Sequence, residues 1–125
     1  MKPSLDAPLS VRLRDATRDD HREAETRPFV RDLLRGDLER EAYVRLLRDL
    51  SEIYAGLEAG LDALDPGVLP AAVTARALRR TATLAHDLEA LHGADWETAL
   101  APTAAARAYR DELEGLASSP TPHLL

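Results

Sequence analysis

Residues 37–67, DLEREAYVRLLRDLSEIYAGLEAGLDALDPG, decide the fold class. Tyr43, Leu46, Leu47, Leu50, Ile53, Tyr54, Leu57, Leu61 and Leu64 recur mainly at steps of three and four. That is the period of an α-helix with an apolar stripe. Asp37 is placed to cap this helix. Asp65-Pro66-Gly67 ends it, because proline cannot continue the hydrogen-bond ladder and glycine tolerates the turn. No other segment of the chain is as strongly periodic.

The rest of the sequence agrees with a helical reading. Ala and Leu number 22 each, against five Val and one Ile. Strong helix formers dominate and strand-favouring residues are scarce, so the chain is read as all-α. Before the long segment, Leu9, Leu13, Ala16 and Ala24 mark a first helix from about Leu9 to Glu25, its stripe interrupted by Asp20. Thr26 is expected to cap a short second helix, Pro28–Arg35, closed by Gly36. After it, Val73, Ala77, Leu84, Leu88 and Leu91 mark a fourth helix over Ala71–Leu91. A short turn is expected around Trp96. Thr103 is expected to cap a fifth helix, Ala104–Ala117, presenting Tyr109, Leu113 and Leu116. Residues 1–8 read as a loose lead-in, and Ser118-Ser119-Pro120-Thr121-Pro122 as a breaker.

Several function classes are excluded on composition. The 125 residues suit one domain, with 16 basic and 22 acidic residues giving a net charge of −6. An acidic chain lacks the clustered positive surface that nucleic acid requires. The absence of cysteine removes disulfides, thiolate metal sites and cysteine nucleophiles. No run has the length of a membrane span or the form of a signal peptide, so a cytoplasmic protein without membrane contact is expected. Neither a glycine-rich phosphate loop nor Gly-x-Ser-x-Gly is present.

One constellation on the first helix carries chemistry. Arg14, Arg18, His21 and Glu25 are spaced i, i+4, i+7, i+11, within about 60° of one another on a helix of 3.6 residues per turn. A neutral imidazole is a good iron ligand. A carboxylate one turn away can accept its other N–H. Small Thr17 and Ala24 flank His21, and the arginines suit the anionic edge of a flat ligand. The same residues also describe an ordinary solvated, salt-bridged helix face. Other candidates carry less. Glu89 and His92 form a single Glu-x-x-His, half of a di-iron motif, and read as a surface pair at a helix end. His86 and His92 do not share a face, and His123 lies in the tail. The arginines from Arg31 to Arg48 read as exposed helix faces. Tyr43, Tyr54, Trp96 and Tyr109 read as core or edge aromatics.

Leu9-Ser10-Val11-Arg12-Leu13-Arg14-Asp15-Ala16-Thr17, followed by His21-Arg22-Glu23-Ala24-Glu25, resembles the opening helix of the biliverdin-producing heme oxygenases, L-S-x-x-L-R-x-A-T-x-x-x-H-x-x-A-E. The likeness continues through Phe29-Val30, Leu33-Leu34, Gly36 and Glu41-Ala42-Tyr43. Ile53-Tyr54-Ala55-Gly56-Leu57-Glu58 is close to I-Y-x-A-L-E. Arg80-Thr81-Ala82, Leu84, Asp87-Leu88, Gly93-Ala94-Asp95-Trp96 and Ala108-Tyr109 extend it over about residues 9–125. The resemblance implies a multi-helical heme oxygenase-like fold, here about five helices in one domain over 9–125. It implies heme as cofactor and substrate, with His21 as proximal iron ligand and Glu25 holding that imidazole. Arg14 and Tyr109 take positions near the propionates, and Arg18 sits at another commonly basic position. The implied activity is oxidative heme catabolism to biliverdin, CO and iron, with electrons from a reductase or ferredoxin. Ser51 stands in a segment that is tyrosine-rich in the family. The glycine-rich G-D-L-S-G-G of the distal helix would follow Leu125, so the distal wall is not expected within these residues. The alternatives are a non-catalytic heme carrier and an inactive fragment.

Overall fold

A computed structural model describes residues 6–119. Residues 1–5 of the expected lead-in, residues 120–122 of the expected breaker and His123 lie outside them. Seven α-helices and one 3-10 turn, with no strand, make up the described residues: α1 (Leu9–Thr26), α2 (Pro28–Arg35), α3 (Arg40–Asp62), α4 (Ala71–Thr74), the 3-10 turn (Arg76–Leu78), α5 (Thr81–Leu91), α6 (Trp96–Ala99) and α7 (Ala104–Ala117). The all-α expectation holds. Among the described residues no helix is long and apolar enough to cross a membrane. The chain divides between Glu39 and Arg40 into two compact units.

In the first unit α1 packs against α2, and neither helix holds a buried residue. Thr26 does not cap α2, contrary to expectation. It is the last residue of α1, where its hydroxyl donates to the Glu23 carbonyl at 3.0 Å. The chain turns at Arg27, in extended backbone, and restarts with Pro28 in the first turn of α2, where a missing N–H costs nothing. Gly36, at φ 77°, closes α2. The Gly36 N–H reaches Leu33 O at 3.2 Å and the Asp37 N–H reaches Asp32 O at 2.9 Å, the Schellman pattern. Asp37 is thereby committed to the end of α2, and α3 begins three residues later, at Arg40.

The second unit is built on α3, which packs against α7 and α5. Val44 and Leu47 of α3 meet Leu84 and Leu88 of α5, with Leu50, Tyr54, Leu91, Trp96 and Leu100 packed around them. The buried residues of α3 are Val44, Leu47, Ser51, Gly56 and Gly60, so of the expected stripe Leu47 alone is buried, and the two glycines lie on a different side of the helix from the other three. α3 is apolar around much of its circumference, so periodicity alone could not choose the inward face. Small residues win it where neighbouring elements approach closely. α3 ends at Asp62, and the following turn has Pro66 at its second position, Gly67 at φ 88° and the Val68 N–H bonded to Asp65 O at 3.2 Å.

The expected fourth helix, Ala71–Leu91, is broken into α4, the 3-10 turn and α5. Extended backbone at Ala75 and Arg79 (ψ 135° and 141°) interrupts it. The reason is tertiary. The Glu58 carboxylate on α3 accepts the Arg80 and Thr81 N–H groups at 2.5 and 3.2 Å. Arg79 donates to Glu58 O at 3.0 Å and to Asp62 at 2.7 Å. A continuous helix would have to give the Arg80 and Thr81 N–H groups to carbonyls one turn back. α3 takes them instead and starts a new helix at Thr81.

Candidate functional site

The helical spacing places the α1 candidates as the sequence suggests. His21 Nδ1 lies 3.4 Å from Glu25 Oε1, one turn on. The imidazole side chain is 72% exposed, and its Nε2 has no partner among the described residues. One ring nitrogen faces a carboxylate and the other is open. That donor set fits a metal-ligating histidine, whose orientation is fixed through the nitrogen that does not bind metal. Upstream, Arg18 Nη2 donates to Asp15 Oδ1 at 2.6 Å, and Arg14 Nε lies 3.8 Å from the same oxygen. Two guanidinium groups share one carboxylate on the turns before His21. The Thr17 hydroxyl is turned back onto Leu13 O at 2.9 Å. Its hydrogen bond is thus satisfied on its own helix.

Tyr109 stands on α7 in the second unit and is 50% exposed. Glu89 is exposed. His92 ends α5, with Nε2 3.8 Å from Asp95, so the pair is a helix-end arrangement. Among the described residues no three His, Asp or Glu side chains are grouped to hold a metal ion. Tyr54 and Trp96 pack on the core, while Tyr43 is 40% exposed at its edge.

Sequence reading missed one cluster and misplaced one of its members. Arg48, expected on an exposed face, has a side chain only 11% exposed. It donates to Leu100 O at 2.8 Å, to Ser51 Oγ at 3.2 Å and to Glu52 at 3.1 Å, and lies over the Trp96 ring. Glu52 also accepts from Arg110 at 2.9 Å, and Arg110 reaches Glu114 at 3.0 Å. Burial alone would raise the Glu52 pKa, but hydrogen bonds from Arg110 and Arg48, with their charges, hold it below the ordinary 4.5. Hydrogen bonds to Glu114 and Glu52 raise that of Arg110. A cavity of about 350 Å³ borders these groups. The i, i+4 pairs Arg48/Glu52 and Arg110/Glu114 are visible in sequence, but their linkage across α3 and α7 is not.

A sequence model described as heme oxygenase matches residues 7–125. Heme oxygenase 2 of Synechocystis sp. is 35% identical over 117 residues, covering 94% of this chain and 46% of that protein. The crystal structure of heme oxygenase-2 from Synechocystis sp., in complex with heme and NO, is 34% identical with a TM-score of 0.82, over 92% of this chain and 48% of that one. Heme oxygenase-1 from the same organism, in complex with heme, gives 26% identity and a TM-score of 0.81, over 91% and 52%. The chain spans about half the length of the curated relatives it matches.

Proposed function

The chain belongs to the heme oxygenase family, and from that premise we propose that it binds heme through His21 and takes part in oxidative heme cleavage to biliverdin, CO and iron. Its open Nε2, with Nδ1 held against Glu25 at 3.4 Å, is the observation that carries the reading. Heme, as cofactor and substrate, would supply the iron and the porphyrin ring that the family's chemistry opens. The chain's own residues bind and orient it. A proton on Nδ1 directed at Glu25 would leave Nε2 free to hold the heme iron. Arg14 and Arg18, which share Asp15, would offer guanidinium donors to carboxylate groups at the heme edge. Tyr109 offers a hydroxyl donor to a propionate. Electrons come from a protein donor, a reductase or a ferredoxin, and the protein acts in the cytoplasm.

Hemin titration of the chain and of His21→Ala, followed by absorbance, tests this assignment. A histidine-ligated spectrum in the parent that disappears in the variant supports it. Identical spectra overturn it. Adding reductant and O₂ to the hemin-loaded chain separates two outcomes. Biliverdin supports the oxygenase reading, and intact heme with retained histidine ligation supports a heme carrier instead.

A further inference from the structure

Two carboxylates on α3 pin α7. Asp49 accepts from the Thr103 N–H and hydroxyl, both at 2.8 Å. The Thr103 hydroxyl in turn accepts the Ala106 N–H at 3.2 Å, capping α7. Two turns along α7 from Thr103, Arg110 donates to Glu52 at 2.9 Å. Arg110 lies directly on Gly56, where an added Cβ would come within 2.7 Å of its Cγ and 3.5 Å of its Cα. Ala106, Arg110 and Leu113 thus form the face of α7 turned to α3, with Ala106 and Leu113 buried. Tyr109 precedes Arg110 by one residue, about 100° around the helix. The direction in which its half-exposed ring leaves α7 therefore follows the rotation of that helix. Rotation of α7 about its axis would swing that hydroxyl by several ångströms, since the ring projects well beyond the helix surface.

We propose that Glu52 is a positioning residue: by holding Arg110 on Gly56 it fixes the rotation of α7 and so the direction in which Tyr109 presents its hydroxyl to a heme propionate. The inference rests on the reading of Tyr109 as a propionate contact. Nothing in it requires Glu52 to touch heme, and Glu52 is already committed to Arg48 and Arg110.

Hemin affinities of the parent, Glu52→Gln, Tyr109→Phe and the double variant form the test. Glu52→Gln lowers affinity about three- to tenfold, the effect of losing one hydrogen bond. In the Tyr109→Phe background the same change has no further effect. Hemin dimethyl ester, whose uncharged ester carbonyls are weaker acceptors than carboxylates, shows a smaller difference between the parent and Glu52→Gln than hemin does. An equal loss in both backgrounds, or none in either, overturns the inference, because a merely structural role weakens binding whether or not Tyr109 has its hydroxyl. A heme-free measurement makes this independent of the functional reading. With the three tyrosines isotope-labelled, Glu52→Gln shifts the Tyr109 ring resonances, and unchanged resonances refute the positioning. Gly56→Ala, which crowds the same seat, is read by identical criteria if Glu52→Gln does not fold. Failure of the heme assignment shows separately, as identical titrations of the parent and His21→Ala.

Discussion

Glu58 is the residue whose loss tests most directly why the chain breaks between α4 and α5. Its carboxylate accepts the Arg80 and Thr81 N–H groups at 2.5 and 3.2 Å, at the N-terminus of α5. No residue within α5 supplies a side-chain cap there, so a residue 22 positions earlier does the work of one. Removing an N-cap acceptor costs about 1 kcal/mol. The negative charge at the helix N-terminus adds about 0.3–1 kcal/mol, and the charge-assisted character of the bonds raises the cost further. Glu58→Ala should therefore destabilise the second unit by about 2–3 kcal/mol. Glu58→Gln keeps an acceptor oxygen and loses the charge, so about 1 kcal/mol is expected. Urea unfolding followed by fluorescence of Trp96, the one tryptophan of the chain, reports on this unit. An alanine variant within about 0.5 kcal/mol of the parent, below the cost of any cap, would show that α5 starts at Thr81 for another reason.

Leu88 is fully buried between α3 and α5. Leu88→Ala should cost about 2–5 kcal/mol in the same urea assay. Asp49→Ala removes the acceptor for both Thr103 donors, and a loss of about 1–2 kcal/mol, with fraying of α7 seen by amide exchange, is expected. Acid should destabilise the second unit in a defined direction. For Glu52 and Glu58 burial raises the pKa, but the hydrogen bonds from Arg110 and Arg48, and from Arg80 and Thr81, outweigh it and hold both below the ordinary 4.5. The unfolded chain then takes up protons first. Stability is complete above about 4.5, the unfolded value, and falls as pH drops through the folded values. Glu52→Gln should flatten that fall, as read by thermal melts from pH 7 downward. A slope equal to that of the parent would mean Glu52 titrates alike in both states.

The candidate site was legible where it depends on one helix. His21 and Glu25 are one turn apart on any α-helix, so spacing alone brings imidazole and carboxylate to 3.4 Å. Asp15 and Arg18 pair for the same reason. Spacing alone does not distinguish a ligand site from a solvated face; the ligand reading rests on the likeness to the heme oxygenase motif. Tyr109 lies on the helix the sequence indicates, but the seat of its neighbour Arg110 on Glu52 and Gly56 joins two helices and is not legible from either one.

The sequence by itself determined the helical class, the closure of α2 at Gly36, the turn at Pro66-Gly67 and the Thr103 cap. Each depends on backbone angles or hydrogen bonds within a few residues, which side-chain chemistry dictates directly. Only the tertiary structure decided the break before Thr81, the burial of Arg48 and which residues of α3 face inward. Those outcomes are competitions between a local hydrogen bond and one offered by a distant element. Glu58 takes N–H groups that a continuous helix would have kept for itself, and Leu100 and Trp96 draw in an arginine that its neighbours in sequence would have left in water.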